Sequence, residues 1–203
     1  MSSYSQRYAA VLFPDRWRIL GVPLLPLTLG HALLLDRLEL GSAGAPREQG
    51  RSLPATTMPD IGDLLLCLWV CSRAWDRAAA HLQRRRTRCA LKLWAWQMRL
   101  TSRARLDAGL TAAWAQWQAY LAAAWDAPSV WERDKSAASS APLLQVLKVT
   151  LMSRLGHSAQ SALDTPLTVA LWDICCFWET KGHIEWVSPD IDAALDNIPT
   201  PLP

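Results

Sequence analysis

From Asp60 to Ala127 the chain runs without a proline and with only two glycines, Gly62 and Gly109. Apolar residues return at steps of three and four along it: Leu64, Leu68, Cys71, Trp75, Ala79 and Leu82, then Cys89, Leu93, Trp96 and Leu100. A third run follows at Leu106, Leu110, Trp114, Trp117, Leu121 and Trp125. Such steps line one face of an α-helix, whereas a half-buried strand alternates. A single helix of this length would far exceed the usual three or four turns. Breaks are therefore expected near Trp75, near Arg84 to Thr87, or at Thr101-Ser102, giving two or three antiparallel helices.

The flanks follow the same style. The segment up to Pro26 reads as extended, because a residue before proline is pushed out of the α region. Thr28 is placed to cap a helix running to about Leu40, with Gly41 at its stop. Residues 42–59 are rich in Gly, Pro, Ser and Thr and read as a loop, as do residues 128–141. Pro142 to Leu155 reads as a helix stopped by Gly156. Asp164 with Pro166 reads as the start of a further helix reaching Lys181 before Gly182. Residues 183–187 offer a short strand, Asp190 to Asn197 one or two more helical turns, and residues 198–203 a loose tail. The expected fold is all-α: one domain over residues 1–203, a bundle of six or seven helices.

The chain has 203 residues, 51% of them apolar, and a net charge of +3, which excludes a wholly disordered polypeptide. Two uncharged stretches, Ile19 to Leu35 and Ala108 to Trp125, approach the length of a membrane span. The first carries Pro23, Pro26, Gly30 and His31; the second is mostly Ala with its larger apolar side chains on one stripe. Both read as buried helix. Five cysteines, an odd number, follow a polar N-terminus that has no apolar signal core. A reducing cytoplasm is the expected setting.

Motifs for chemistry are sparse. Cys67 and Cys71 stand one helical turn apart and Cys175-Cys176 are adjacent, but Leu68-Trp69-Val70 between the first pair is bulky and apolar rather than a Gly-containing knuckle. Packing is the expected role of these thiols. His31, His81, His157 and His183 are scattered, and no glycine-rich phosphate loop or nucleophile elbow occurs. No catalytic residue, metal site or cofactor is expected.

Charge and aromatic content are more informative. Between Arg73 and Arg105 lie ten Arg or Lys and one acid, Asp76. Arg84, Arg88, Lys92, Arg99 and Arg103 fall on one helical face, a stripe roughly 28 Å long at 1.5 Å per residue. Like charges one turn apart repel, so the stripe gains from an anionic neighbour. That neighbour is external, or it is the acidic stretch from Ser161 to Pro203, which holds seven acids and one lysine. Arginine abundance alone is weak evidence, since 17 Arg, 30 Ala and 12 Trp all have GC-rich codons. The tryptophans are expected mainly in the core, yet adjacent pairs such as Trp94 and Trp96 cannot share one stripe. Trp94, Trp96, Trp117 and Trp131 are therefore candidates for partner contact, together with the basic stripe.

Two segments resemble uncharacterised helical proteins of phage and prophage tail modules: Ile19-Leu-Gly with Pro26-Leu-Thr-Leu-Gly-His-Ala-Leu-Leu-Leu, and Gly62-Asp-Leu-Leu-Leu-Cys-Leu-Trp-Val-Cys-Ser-Arg. Thr165-Pro-Leu-Thr-Val-Ala-Leu-Trp is similar to their C-terminal helix. The resemblance implies a tail assembly chaperone in the cytoplasm of a bacterial host, a non-enzymatic protein that binds a helical, tape-measure-like client. The alternative is a helical nucleic-acid-binding protein that uses the basic stripe from Arg84 to Arg105. A metalloprotein or enzyme built on the cysteines is a third, weaker reading.

Overall fold

The computed structural model describes residues 17–38, 61–84, 93, 96, 107–132, 141–187 and 191. Seven helices are delimited among them: α1 (Leu29–Arg37), α2 (Ile61–Cys71), α3 (Trp75–Arg84), α4 (Asp107–Ala124), α5 (Leu143–Arg154), α6 (Ala159–Asp164) and α7 (Leu167–Thr180). Two short antiparallel pairs accompany them, β1 (Arg18–Ile19) with β2 (Val22–Pro23) and β3 (Val130–Glu132) with the distant β4 (Ile184–Trp186). The molecule is mainly helical, as the apolar spacing requires.

The chain enters through a tight turn. Leu20 and Gly21 both have positive φ, 50° and 77°, the pattern of the turn whose twist matches a two-stranded ribbon. Leu24, Leu25 and Leu27 follow outside any helix or strand, and Pro26 keeps Leu25 from turning helical. The Leu25 N–H donates to the Cys71 carbonyl at 2.9 Å and its own carbonyl accepts from the Tyr120 hydroxyl at 2.9 Å. One residue thus ties the end of α2 to the middle of α4.

Helix α1 is central and packs against α2, α3, α5, α6 and α7. Thr28 caps it reciprocally: its Oγ1 accepts from the His31 N–H, while its own N–H donates to His31 Nδ1. The helix ends at Arg37 with Leu38 as C-cap, earlier than the sequence suggests; Gly41 lies outside the described residues. The starts of α1 and α7 are bridged, since the Leu29 N–H donates to the Thr165 carbonyl (3.0 Å) and the Leu167 N–H to the Leu27 carbonyl (2.7 Å).

The expected break near Trp75 falls at Ser72 to Ala74. The Ser72 hydroxyl donates to the Trp69 carbonyl at 2.9 Å, closing the C-terminus of α2, and the Asp76 carboxylate accepts from the Arg77 N–H in the first turn of α3. Of the second apolar run, Leu93 and Trp96 are described, and both pack half-buried against the core. The breaks expected at residues 84–87 and 101–102 lie outside the described residues apart from Arg84, the last residue of α3. On α4 the buried stripe is Ala113, Trp117, Tyr120, Leu121 and Ala124, rotated from the one read in the sequence. Small Ala side chains let neighbours come close, and Trp114 and Trp125 are left half-buried at its edges.

Three sequence expectations need correction. Residues 130–132 are not loop: Val130, Trp131 and Glu132 pair with Trp186, Glu185 and Ile184, so the strand expected at 183–187 has a partner too short to show a period. Asp164 does not cap α7. It ends α6, a six-residue helix that the sequence did not announce, capped by Ser158 through the Ser161 N–H at 3.0 Å. Pro166 stands at the N-cap of α7 with no side-chain hydrogen bond. Gly156 and Gly182, at φ of 74° and 75°, stop α5 and α7 as expected. The loop at 42–59, the tail at 198–203 and all of 190–197 except Ile191 lie outside the described residues.

Candidate functional site

A concave groove of about 840 Å3 lies between α1, α3, α5 and α6. Leu33 and Leu34 of α1, its C-cap Leu38, Ala79 and Leu82 of α3 and Leu163 of α6 give it apolar walls, and Gly30 and Trp75 also line it. Arg37 and Lys148 are its two charged lining residues. The groove exists because α1 and α3 meet at their N-terminal ends. A Cβ on Gly30 would stand 2.5 Å from the Trp75 ring, so only glycine lets the indole reach the helix backbone. The indole N–H donates to Asp164 Oδ1 at 2.7 Å, and the Gln160 amide reaches both oxygens of the same carboxylate at 3.2 and 3.1 Å.

Beneath this contact, His31 is 1% exposed. Its Nδ1 accepts from the Thr28 N–H at 3.2 Å, which leaves Nε2 as the protonated nitrogen donating to the Arg73 carbonyl at 2.8 Å. Burial holds the imidazole below its ordinary pKa, and the Arg73 carbonyl, with Asp164 and Asp76, only partly offsets this. A neutral ring therefore joins the cap of α1 to the α2–α3 turn. The Arg73 guanidinium beyond it lies 4.0 Å from the centre of the Trp69 ring.

The cysteines occupy other places. Cys67 and Cys71 are buried, and burial pushes the Cys71 thiol far up; Tyr120 beside it is also raised by burial. Cys176 lines a shallow depression of about 310 Å3 with His157, Asp173 and Thr180. Partial burial and the carboxylates of Asp173 and Glu179 raise its pKa, and burial takes that of Cys175 to about 11. This is the opposite of an activated thiolate. His157 directs Nδ1 to the hydroxyls of Ser161 (3.2 Å) and Thr165 (3.5 Å). Among the described residues no group of three or more His, Cys, Asp or Glu is placed to hold a metal ion, and no helix is long and apolar enough to cross a membrane.

The sequence-derived contact residues fare unevenly. Trp117 is fully buried, its ring centre 5.2 Å from that of Tyr120 in a tilted pair, and is corrected from a partner-facing ring to a core residue. Its Nε1 has no hydrogen-bond partner among the described residues, nor has that of Trp125. Trp96 is half-buried against the core. Trp131 is 50% exposed on β3. Arg84 ends α3, and Arg88, Lys92, Trp94, Arg99 and Arg103 lie outside the described residues. Sequence reasoning missed the groove, Arg37 and Lys148. Gly30 inside an otherwise leucine-rich helix was the available signal, because an interior glycine marks a close approach. The chain matches no known family model, no curated protein and no solved structure.

Proposed function

We propose that this protein is a non-enzymatic interaction module that seats the apolar face of a client helix in the groove between α1, α3, α5 and α6. The resemblance to phage tail assembly chaperones agrees with this reading, and a tape-measure-like helical client is the partner it implies. The observation that carries the proposal is the groove itself: a half-open trough whose leucine walls suit ridges presented at i, i+3, i+4 and i+7. Its pinned floor is formed before any partner arrives, which lowers the ordering cost of binding.

The test is binding of a labelled 18-residue amphipathic peptide, with leucine at those spacings, to the full chain. Fluorescence anisotropy is expected to give saturable binding. Ala79→Trp, which fills the trough with a ring, is expected to abolish it while circular dichroism is unchanged. Binding that is indifferent to Ala79→Trp sinks the proposal.

A further inference from the structure

The groove's two charged lining groups are both cations, Arg37 near the end of α1 and Lys148 in the middle of α5. An occupant that suits them has apolar residues at helical spacing and carboxylates beside them. The chain carries such a segment. In Asp190-Ile191-Asp192-Ala193-Ala194-Leu195-Asp196-Asn197-Ile198, the positions 191, 194, 195 and 198 are apolar at i, i+3, i+4 and i+7, and three aspartates are interleaved. Ile191, the one residue of this segment that is described, has helical backbone and is 47% exposed.

We infer that the groove of one copy of this chain accepts the acidic C-terminal segment of a second copy, with Asp190, Asp192 and Asp196 set against Arg37 and Lys148. The inference rests on the groove being a helix-docking site and adds a particular ligand to it. Reciprocal exchange closes a two-fold dimer, because each copy supplies one groove and one segment. The same exchange makes the segment a competitor of any external client, so self-association and client binding exclude one another.

The test uses full chains in sedimentation equilibrium. The unmodified protein is expected to rise with concentration from 22.6 kDa toward twice that mass. A groove variant, Arg37→Glu with Lys148→Glu, and a segment variant, Asp190→Lys with Asp192→Lys and Asp196→Lys, are each expected to weaken dimerisation by roughly tenfold or more, since like charges then face each other. Mixing the two variants restores opposite signs at both contacts and is expected to restore the dimer. An unmodified chain that stays at 22.6 kDa throughout overturns the inference, as does a mixture that fails to pair. In either case the amphipathic-peptide measurement still reads the client proposal separately: peptide binding blocked by Ala79→Trp leaves that proposal standing.

Discussion

A methyl group on Gly30 would stand 2.5 Å from the indole of Trp75, and that indole cannot easily retreat because its N–H is held by Asp164 at 2.7 Å. The close approach sets how α3 lies on α1 and gives the groove its floor. Gly30→Ala is therefore expected to destabilise the fold by about 1–3 kcal/mol, the usual cost of overpacking, despite the higher helix propensity of alanine. Urea denaturation checks this. An unchanged or higher midpoint would mean that Trp75 yields freely.

His31 makes stability depend on pH with a definite sign. In the unfolded chain an imidazole takes up a proton as pH falls below about 6.5, whereas the buried ring, with its lowered pKa, resists protonation. The unfolded state then holds more protons, so stability is fully present above about pH 6.5 and declines on acidification. The slope from this one group is at most about 1.4 kcal/mol per pH unit. His31→Leu is expected to lower stability at pH 7.5 and to flatten the profile between pH 6.5 and 5. Equal slopes in the two proteins would assign the dependence to other groups.

Trp117 combines a large buried ring with an indole N–H that has no partner among the described residues. Trp117→Phe loses ring volume but removes an orphan donor worth about 1–3 kcal/mol, so the two effects nearly cancel. Trp117→Ala removes the donor too but leaves a far larger cavity, and is expected to cost about 3–5 kcal/mol. Thermal melts of the pair check this contrast. A Trp117→Phe variant that costs several kcal/mol would show that the indole N–H is satisfied in solution.

The thiols should separate by accessibility. With iodoacetamide at pH 8, read peptide by peptide, Cys176 is expected to react first, Cys175 more slowly, and Cys67 and Cys71 only as the protein unfolds. Early labelling of Cys71 would contradict its burial beside Tyr120.

Much of the helical architecture was legible because it is written in local rules. Thr28 before a leucine run, prolines in the entry segment, and Gly156 and Gly182 after their helices each fix a boundary through backbone chemistry. What stayed hidden depends on partners distant in sequence. Val130 to Glu132 becomes strand only because β4 lies beside it, and Asp164 is recruited by Trp75 and Gln160 rather than by the helix that follows. The groove is hidden for the same reason. Its walls come from four helices, and on any one of them the leucines read as core.

The bridge between Thr28 and Pro166 has a consequence for biosynthesis. Two strips of backbone more than a hundred positions apart must meet before α1 gains its contacts with α6 and α7, so its full burial depends on closing a very long loop. As the polypeptide leaves the ribosome, the leucines of α1 emerge early and wait for α6 and α7 to be made. Until residue 167 clears the exit tunnel, that oily stretch is what general folding helpers and proteases meet first.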